Sequence, residues 1–240
     1  RTLFSSDHET FRDTVRKFLE NEAVPFNEEW EQQGVVPKDV WRKAGEQGFL
    51  CPMVGEEYGG IGADFLYSVV INEEISKLGL TGIGWGLHTE IVAPYIEHNG
   101  SEVLKQKYLP KMVTGEMIGA IAMTEPGAGS DLQGVKTTAV KDGDHYVLNG
   151  SKTFITNGQN ADIVIVVAKT DPTKGAKGIS LFVVETDSEG FEKGKNLKKV
   201  GMKAQDTSEL FFQDVRVPAE NLLGEELSLI HISEPTRRIL

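Results

Sequence analysis

Near residue 117 the hydrophobic pattern changes its period, and nothing else in the chain constrains the fold as much. Up to about Gly115 the apolar residues recur at three- and four-residue steps, as they do along one side of a helix. Phe11, Val15, Phe18 and Leu19 form one such stripe. It follows Ser6-Asp7-His8-Glu9, which fits a capping box in which hydroxyl and carboxylate satisfy free backbone N–H groups reciprocally. Pro37 can open a second helix carrying Val40, Trp41 and Ala44, with Gly48 beyond its end. Phe65, Val69, Ile75 and Leu78 predict a third, stopped at Gly79, and Ile91, Tyr95 and Ile96 a fourth, ended by Asn99-Gly100. Ser101 caps a fifth, which Pro110 is expected to distort or end.

From Ile118 onward the apolar runs are short and separated by turns. Residues 118–123 and 145–148 are two such runs, and 162–169, 178–185 and 209–217 are rich in Val, Ile, Leu and Phe. Ile163, Val164, Ile165, Val166, Val167 and Ala168 form a continuous apolar run, the mark of a strand covered on both faces. With no long helices between them, these strands predict an antiparallel barrel or sandwich. The expected class is α+β: a helical domain over residues 1–117, then an antiparallel β-barrel-like domain over 118–226. The remainder, 227–240, is set apart. Leu227-Ser228-Leu229-Ile230-His231-Ile232-Ser233-Glu234-Pro235-Thr236-Arg237 reads as a translated sequencing adapter rather than native sequence.

Composition narrows the partners. The formal charge of −11 disfavours nucleic acid and anionic membrane surfaces. An anionic ligand must then be held by local backbone dipoles and a few placed side chains. The single cysteine, Cys51, has no partner for a disulfide or a metal site and is expected to be a small buried hydrophobe. No apolar run approaches the roughly 20 residues that span a bilayer. No targeting peptide is recognisable at Arg1, so a cytoplasmic location is expected.

Two segments carry candidate chemistry. In Met123-Thr124-Glu125-Pro126-Gly127-Ala128-Gly129-Ser130-Asp131, Pro126 fixes one backbone angle, and Gly127 and Gly129 permit angles closed to other residues. Such a loop either forms an anion-binding nest flanked by two hydroxyls or serves only as a turn. It does not fit the dinucleotide-binding glycine pattern. In Asn149-Gly150-Ser151-Lys152-Thr153-Phe154-Ile155-Thr156-Asn157-Gly158, Phe154 and Thr156 share one face if the segment is a strand. A ring beside a hydroxyl suits a planar heterocycle; a core Phe with an edge Thr is the plainer alternative. His88 reads as a structural histidine, and Lys177 by itself as a solvated surface lysine.

Together with Gly201-Met202-Lys203-Ala204-Gln205-Asp206-Thr207-Ser208-Glu209-Leu210 and Val215-Arg216-Val217-Pro218-Ala219-Glu220-Asn221-Leu222-Leu223-Gly224, these segments resemble the acyl-CoA dehydrogenase family over nearly all of residues 1–226. The similarity is closest to its long-chain subgroup. The resemblance implies a helical domain, a middle β-domain and a C-terminal four-helix domain that this chain does not reach, with FAD between the last two. It assigns Ile121-Ala122-Met123-Thr124-Glu125-Pro126-Gly127-Ala128-Gly129-Ser130 and Phe154-Ile155-Thr156 to the flavin, and Ser130, Ala176 and Lys177 to the CoA moiety. Many relatives have Trp where this chain has Phe154; the long-chain subgroup shares the Phe.

The implied reaction is α,β-dehydrogenation of a fatty acyl-CoA to the trans-2-enoyl-CoA, with electrons passed to an electron-transfer flavoprotein. A homotetramer or homodimer is implied, in a bacterial cytoplasm or a mitochondrial matrix. The family's base is a glutamate of the C-terminal domain, so no catalytic residue and no metal ligand is assigned within residues 1–226, and Glu125 in particular is not the base. An acyl-CoA oxidase-type enzyme and a non-catalytic acyl-CoA or flavin scaffold are the alternatives. Gly82, Gly84 and Gly86 around Trp85 are expected either to leave room for the acyl tail or to be ordinary core.

Overall fold

The computed structural model describes residues 3–227; of the segment set apart above only Leu227 falls within it, and 228–240 lie outside the described residues. Six α-helices come first: α1 (Ser6–Glu22), α2 (Asn27–Gln33), α3 (Lys38–Glu46), α4 (Phe65–Lys77), α5 (Ala93–Asn99) and α6 (Glu102–Val113). A π-helical turn, Leu87–Val92, leads into α5. The capping box of α1 lies one residue earlier than the sequence suggested. Ser5 Oγ accepts from His8 N at 3.3 Å, while Ser5 N donates to His8 Nδ1 at 3.1 Å, an imidazole nitrogen doing what a carboxylate usually does.

The stripe expected on α4 is also displaced. Ser68, Val70, Ile71, Glu74 and Ile75 face inward, and Phe65 is exposed. The reason is Glu74, whose buried carboxylate meets Arg12 at 2.9 Å, Arg16 at 2.8 Å and Lys77 at 2.8 Å. Burial works to raise its pKa, but bonds from Arg16, Lys77 and Arg12 outweigh that and hold it down to about 2. Helix α6 continues past Pro110 to Val113, so the proline does not end it there. Leu104, Tyr108, Leu109 and Met112 are all buried around it, and that packing overrides the lost hydrogen bond.

Eight strands follow: β1 (Gly119–Ala122), β2 (Thr138–Asp142), β3 (His145–Thr156), β4 (Ile163–Lys169), β5 (Ile179–Glu185), β6 (Phe191–Asn196), β7 (Thr207–Pro218) and β8 (Leu222–Leu223). They pair in the order β6-β7-β3-β2-β4-β5-β8, with β1 added to β4. The sheet is mixed rather than purely antiparallel, because β1 and β2 both run parallel to β4. Parallel neighbours need a long crossover, and the chain from Met123 to Asp162, holding a loop and the β2–β3 hairpin, supplies it. The sheet curls on itself: Tyr146 on β3 meets Phe182 on β5 with ring centroids 4.8 Å apart.

Strand β4 is buried on both faces, as its unbroken apolar run predicts. Ile163, Ile165 and Val167 pack with Val92 of the π-helical turn, Ile96 of α5, and Leu109 and Met112 of α6. Val164, Val166 and Ala168 pack into the inner core with Leu148, Phe182, Leu210 and Phe212.

A polar seam joins the two halves. His88, fully buried, donates Nε2–H to Met112 O at 3.0 Å and accepts from Gly119 N at Nδ1, also at 3.0 Å. Burial pushes its pKa down to about 4, so it stays neutral and structural. Asn160 donates to Val36 O at 2.8 Å, Asn157 to Gly84 O at 3.1 Å, and Lys38 meets Asp162 at 2.6 Å.

Candidate functional site

At Met123 the chain leaves β1 and turns sharply. Glu125 N donates to Ala128 O at 2.9 Å and Ala128 N to Glu125 O at 3.0 Å, with Pro126 and Gly127 at the corners. Neither Gly127 nor Gly129 has positive φ, so the left-handed freedom that glycine permits is not used here. Packing does not demand them either, because a Cβ on either would meet nothing within 4 Å. What these glycines leave is bare backbone at an open surface. Beyond Ser130, Asp131 caps the turn Leu132–Gly134, which lies beside the turn Pro172–Gly178. That second turn carries half-buried Ala176 and exposed Lys177, so the Ser130 end of the loop and the Ala176-Lys177 pair come to one region.

Strand β3 supplies the other segment. Its ladder with β7 is interrupted between Lys152 and Ile155, a bulge that re-aims side chains. Phe154 sits in the bulge at φ +58 and is 66% exposed, while Ile155 points into the core. A bulky aromatic residue in the left-handed region is a backbone outlier costing about 1–3 kcal/mol, and such strain collects at functional sites. Here it turns the ring outward. Thr156, half-buried, lies on the same side of the strand two residues on.

The two segments are joined directly, with Thr153 N donating to Thr124 O at 2.9 Å. Among the described residues, the hydroxyls of Thr124, Ser130 and Thr156 hydrogen-bond no protein group. An outward ring in strained backbone, flanked by uncommitted hydroxyls and bare glycine backbone, fits a planar heterocycle with a polar edge. The residues present therefore fit an isoalloxazine.

Glu125 is the exception within the loop, being buried and saturated. Oε1 accepts from Thr137 N at 3.0 Å, Thr137 Oγ1 at 2.6 Å and Lys152 Nζ at 2.9 Å, and Oε2 from Lys136 N at 2.6 Å. Burial would raise its pKa, yet the Thr137, Lys136 and Lys152 bonds together hold it below the usual carboxylate range. With its oxygens so engaged it cannot serve as a proton acceptor for a substrate. Lys152 is equally buried; burial lowers its pKa, against the pull of Glu125, to about 8.

Asn157 is the other residue the sequence did not single out. It is fully buried at φ +63, donates to Gly84 O at 3.1 Å and Gly119 O at 3.3 Å, and accepts from Gln205 Nε2 at 2.9 Å. Its only sequence signal is the Asn157-Gly158 dipeptide, which reads as a turn.

Gly82 and Gly84 do not leave room for a tail. A Cβ on Gly82 would overlap Ala204, and one on Gly84 would overlap Asn157 Oδ1. Only Gly86 faces ordinary space, with Asn72 Oδ1 at 3.4 Å from where its Cβ would lie. Trp85 is enclosed in the helical core with Leu80 and Ile118. Among the described residues, no three His, Cys, Asp or Glu side chains gather as metal ligands would, and no helix is long and apolar enough to cross a membrane.

The chain resembles known proteins in sequence and fold. The N-terminal domain of acyl-CoA dehydrogenases matches residues 5–116, and the middle domain of the same family matches 120–215. Long-chain specific acyl-CoA dehydrogenase, mitochondrial, from Rattus norvegicus is 54% identical over 228 residues, which are 94% of this chain and 53% of that protein. The chain thus spans about half the length of the curated relatives it matches. The crystal structure of acyl-CoA dehydrogenase from Geobacillus kaustophilus superposes with a TM-score of 0.94 at 59% identity, over 96% of this chain and 61% of that one. Acyl-CoA dehydrogenase complexed with FAD from Bacillus anthracis does so with a TM-score of 0.88 at 41% identity, over 96% and 40% respectively. With both halves matched in order and at this identity, the chain belongs to the acyl-CoA dehydrogenase family.

Proposed function

We propose that this chain is the N-terminal and middle part of an FAD-dependent acyl-CoA dehydrogenase. Residues 1–117 form its helical domain and 118–226 its flavin-binding domain. The whole protein oxidises a long-chain fatty acyl-CoA to the trans-2-enoyl-CoA and passes the electrons to an electron-transfer flavoprotein. The observation that carries this reading is Phe154, held outward in strained backbone beside two threonine hydroxyls with no protein partner. Phe154 would cover one face of the flavin, Thr124 and Thr156 would offer hydrogen bonds to its polar edge, and the bare backbone at Gly127 and Gly129 would let the cofactor approach. Ser130, Ala176 and Lys177 take the phosphate end and the CoA moiety.

A bound flavin would supply the hydride-acceptor chemistry for the substrate β-hydrogen. The α-proton would go to a carboxylate outside residues 1–226, as the family resemblance implies, while Glu125 is committed to Thr137, Lys136 and Lys152. Hydrogen bonds to the thioester oxygen stabilise the enolate-like transition state. Long-chain preference rests on the 54% identity to long-chain specific relatives and not on the glycines, two of which are packed solid. A homotetramer, or a homodimer, in a bacterial cytoplasm or a mitochondrial matrix completes the reading.

Anaerobic mixing of the full-length, FAD-loaded protein with saturated acyl-CoAs of increasing length tests it. Bleaching of the oxidised flavin band is expected, with affinity rising by about 0.8 kcal/mol per methylene up to roughly C14–C16. No bleaching by any acyl-CoA would leave only a flavin or acyl-CoA scaffold. Reoxidation by oxygen rather than by an electron-transfer flavoprotein would make it an oxidase.

A further inference from the structure

The two segments given to the flavin come from different parts of the sheet, so something must set their relative position. One backbone bond, Thr153 N to Thr124 O, joins them at 2.9 Å, and a single bond is a pivot. Lys152 adds two more. Its ammonium donates to Met123 O at 3.1 Å and to Glu125 Oε1 at 2.9 Å, gripping the residues on either side of Thr124. Thr124 is therefore fixed before, at and after its own position.

Glu125 carries the anchoring further, to the segment entering β2, through Lys136 N, Thr137 N and Thr137 Oγ1. One buried ion pair thus ties together residues 123–125, 136–137 and 152–153. Lys152 also opens the bulge in β3 and lies two residues before Phe154 with its positive φ. The anchor that grips the loop is the one from which the strained ring departs.

We propose that Lys152 is a positioning residue which, through Met123 O and Glu125, fixes the loop 123–130 and Thr124 relative to Phe154 and Thr156. The proposal rests on the flavin reading above for its purpose, though not for its geometry. Lys152 is 1% exposed and Glu125 6% exposed, so both charges have left water. A buried pair is often no more stabilising than apolar residues of the same volume, and its advantage is then geometric specificity. Removing one partner alone strands the other charge, whereas removing both does not.

The test compares Lys152→Met with the double variant Lys152→Met/Glu125→Gln in the full-length protein. Three quantities are read: thermal midpoint, amide hydrogen exchange of residues 123–130 against that of β4, and FAD affinity with the visible circular dichroism of the bound flavin. The single variant should lose stability. The double variant should recover much of its midpoint, yet exchange in 123–130 should remain about tenfold faster relative to β4, and FAD should bind about tenfold more weakly with an altered dichroic band. A double variant with wild-type loop exchange, or with exchange raised equally in the loop and β4, would overturn the proposal and leave the pair as ordinary core. Failure of the wild-type protein to take up FAD would remove the flavin reading instead, and the exchange ratio would still decide whether the clamp exists.

Discussion

Two glycine-bearing segments use the same residue for opposite reasons. At Gly82 and Gly84 there is no space: a Cβ would overlap Ala204 in one case and Asn157 in the other. At Gly127 and Gly129 there is nothing but space. The first pair lets the helical half press against the β half, backbone to side chain. The second leaves backbone exposed beside a strained aromatic ring and uncommitted hydroxyls. The crowded glycines serve packing, and the bare ones leave backbone that a ligand can approach closely.

The largest expected effect lies on the crowded side. Gly84→Ala forces a methyl onto Asn157 Oδ1 and disturbs the bonds Asn157 makes to Gly84 O and Gly119 O. Overpacking with a broken buried hydrogen bond should remove about 3 kcal/mol of stability, read by denaturant unfolding. A loss below about 0.5 kcal/mol would mean that the seam yields freely and the contrast is false.

The seam should also be sensitive to acid through His88. Its folded pKa of about 4 lies below the unfolded value of 6.5, so the unfolded chain takes up a proton that the folded chain refuses. Stability should fall as pH drops from 6.5 toward 4, by up to about 3 kcal/mol. Substituting His88→Gln should flatten that part of the pH profile, and an unchanged slope would take His88 out of it; Glu74, held down to about 2, should act only below about pH 4.5.

On the open side the effects move from stability to cofactor chemistry. Thr156→Val in the full-length protein removes one hydroxyl at nearly constant volume. Flavin reduction should slow by about tenfold to a hundredfold, equivalent to roughly 1.5–3 kcal/mol, with little change in unfolding. Stopped-flow reduction at the wild-type rate would take Thr156 out of the site. The smallest effect on stability should come from Gly129→Ala, within about 0.5 kcal/mol of wild type, because the new methyl touches nothing. FAD affinity should nonetheless fall, and an unaffected affinity would reduce the bare glycine to a surface accident.

Much of the architecture can be read from residue order alone. The change of period near residue 117, the unbroken run on β4 and the cap at Ser101 all follow from local spacing, which one helix or strand determines by itself. Displacements arose where a distant charge intervened. The inward face of α4 is set by Glu74 meeting Arg12 and Arg16 on α1, and no periodicity within α4 records that. The site was legible in its outer members, Thr124, Phe154 and Thr156, because a resemblance pointed to them. Its inner members were not. Nothing local marks Lys152, and Glu125 stands in the sequence only as a residue of the flavin loop that is not the base, until the fold brings the two to 2.9 Å and buries both. Glycines 82, 84, 127 and 129 carry the same letter, and only tertiary packing separates their roles.

The most direct measurement is amide hydrogen exchange of the full-length protein with and without FAD. Slowed exchange is expected at residues 123–130 and 153–157 on adding FAD, with residues 82–85, already buried in the seam, unchanged. Protection confined to other segments, with 123–130 and 153–157 exchanging as before, would contradict it.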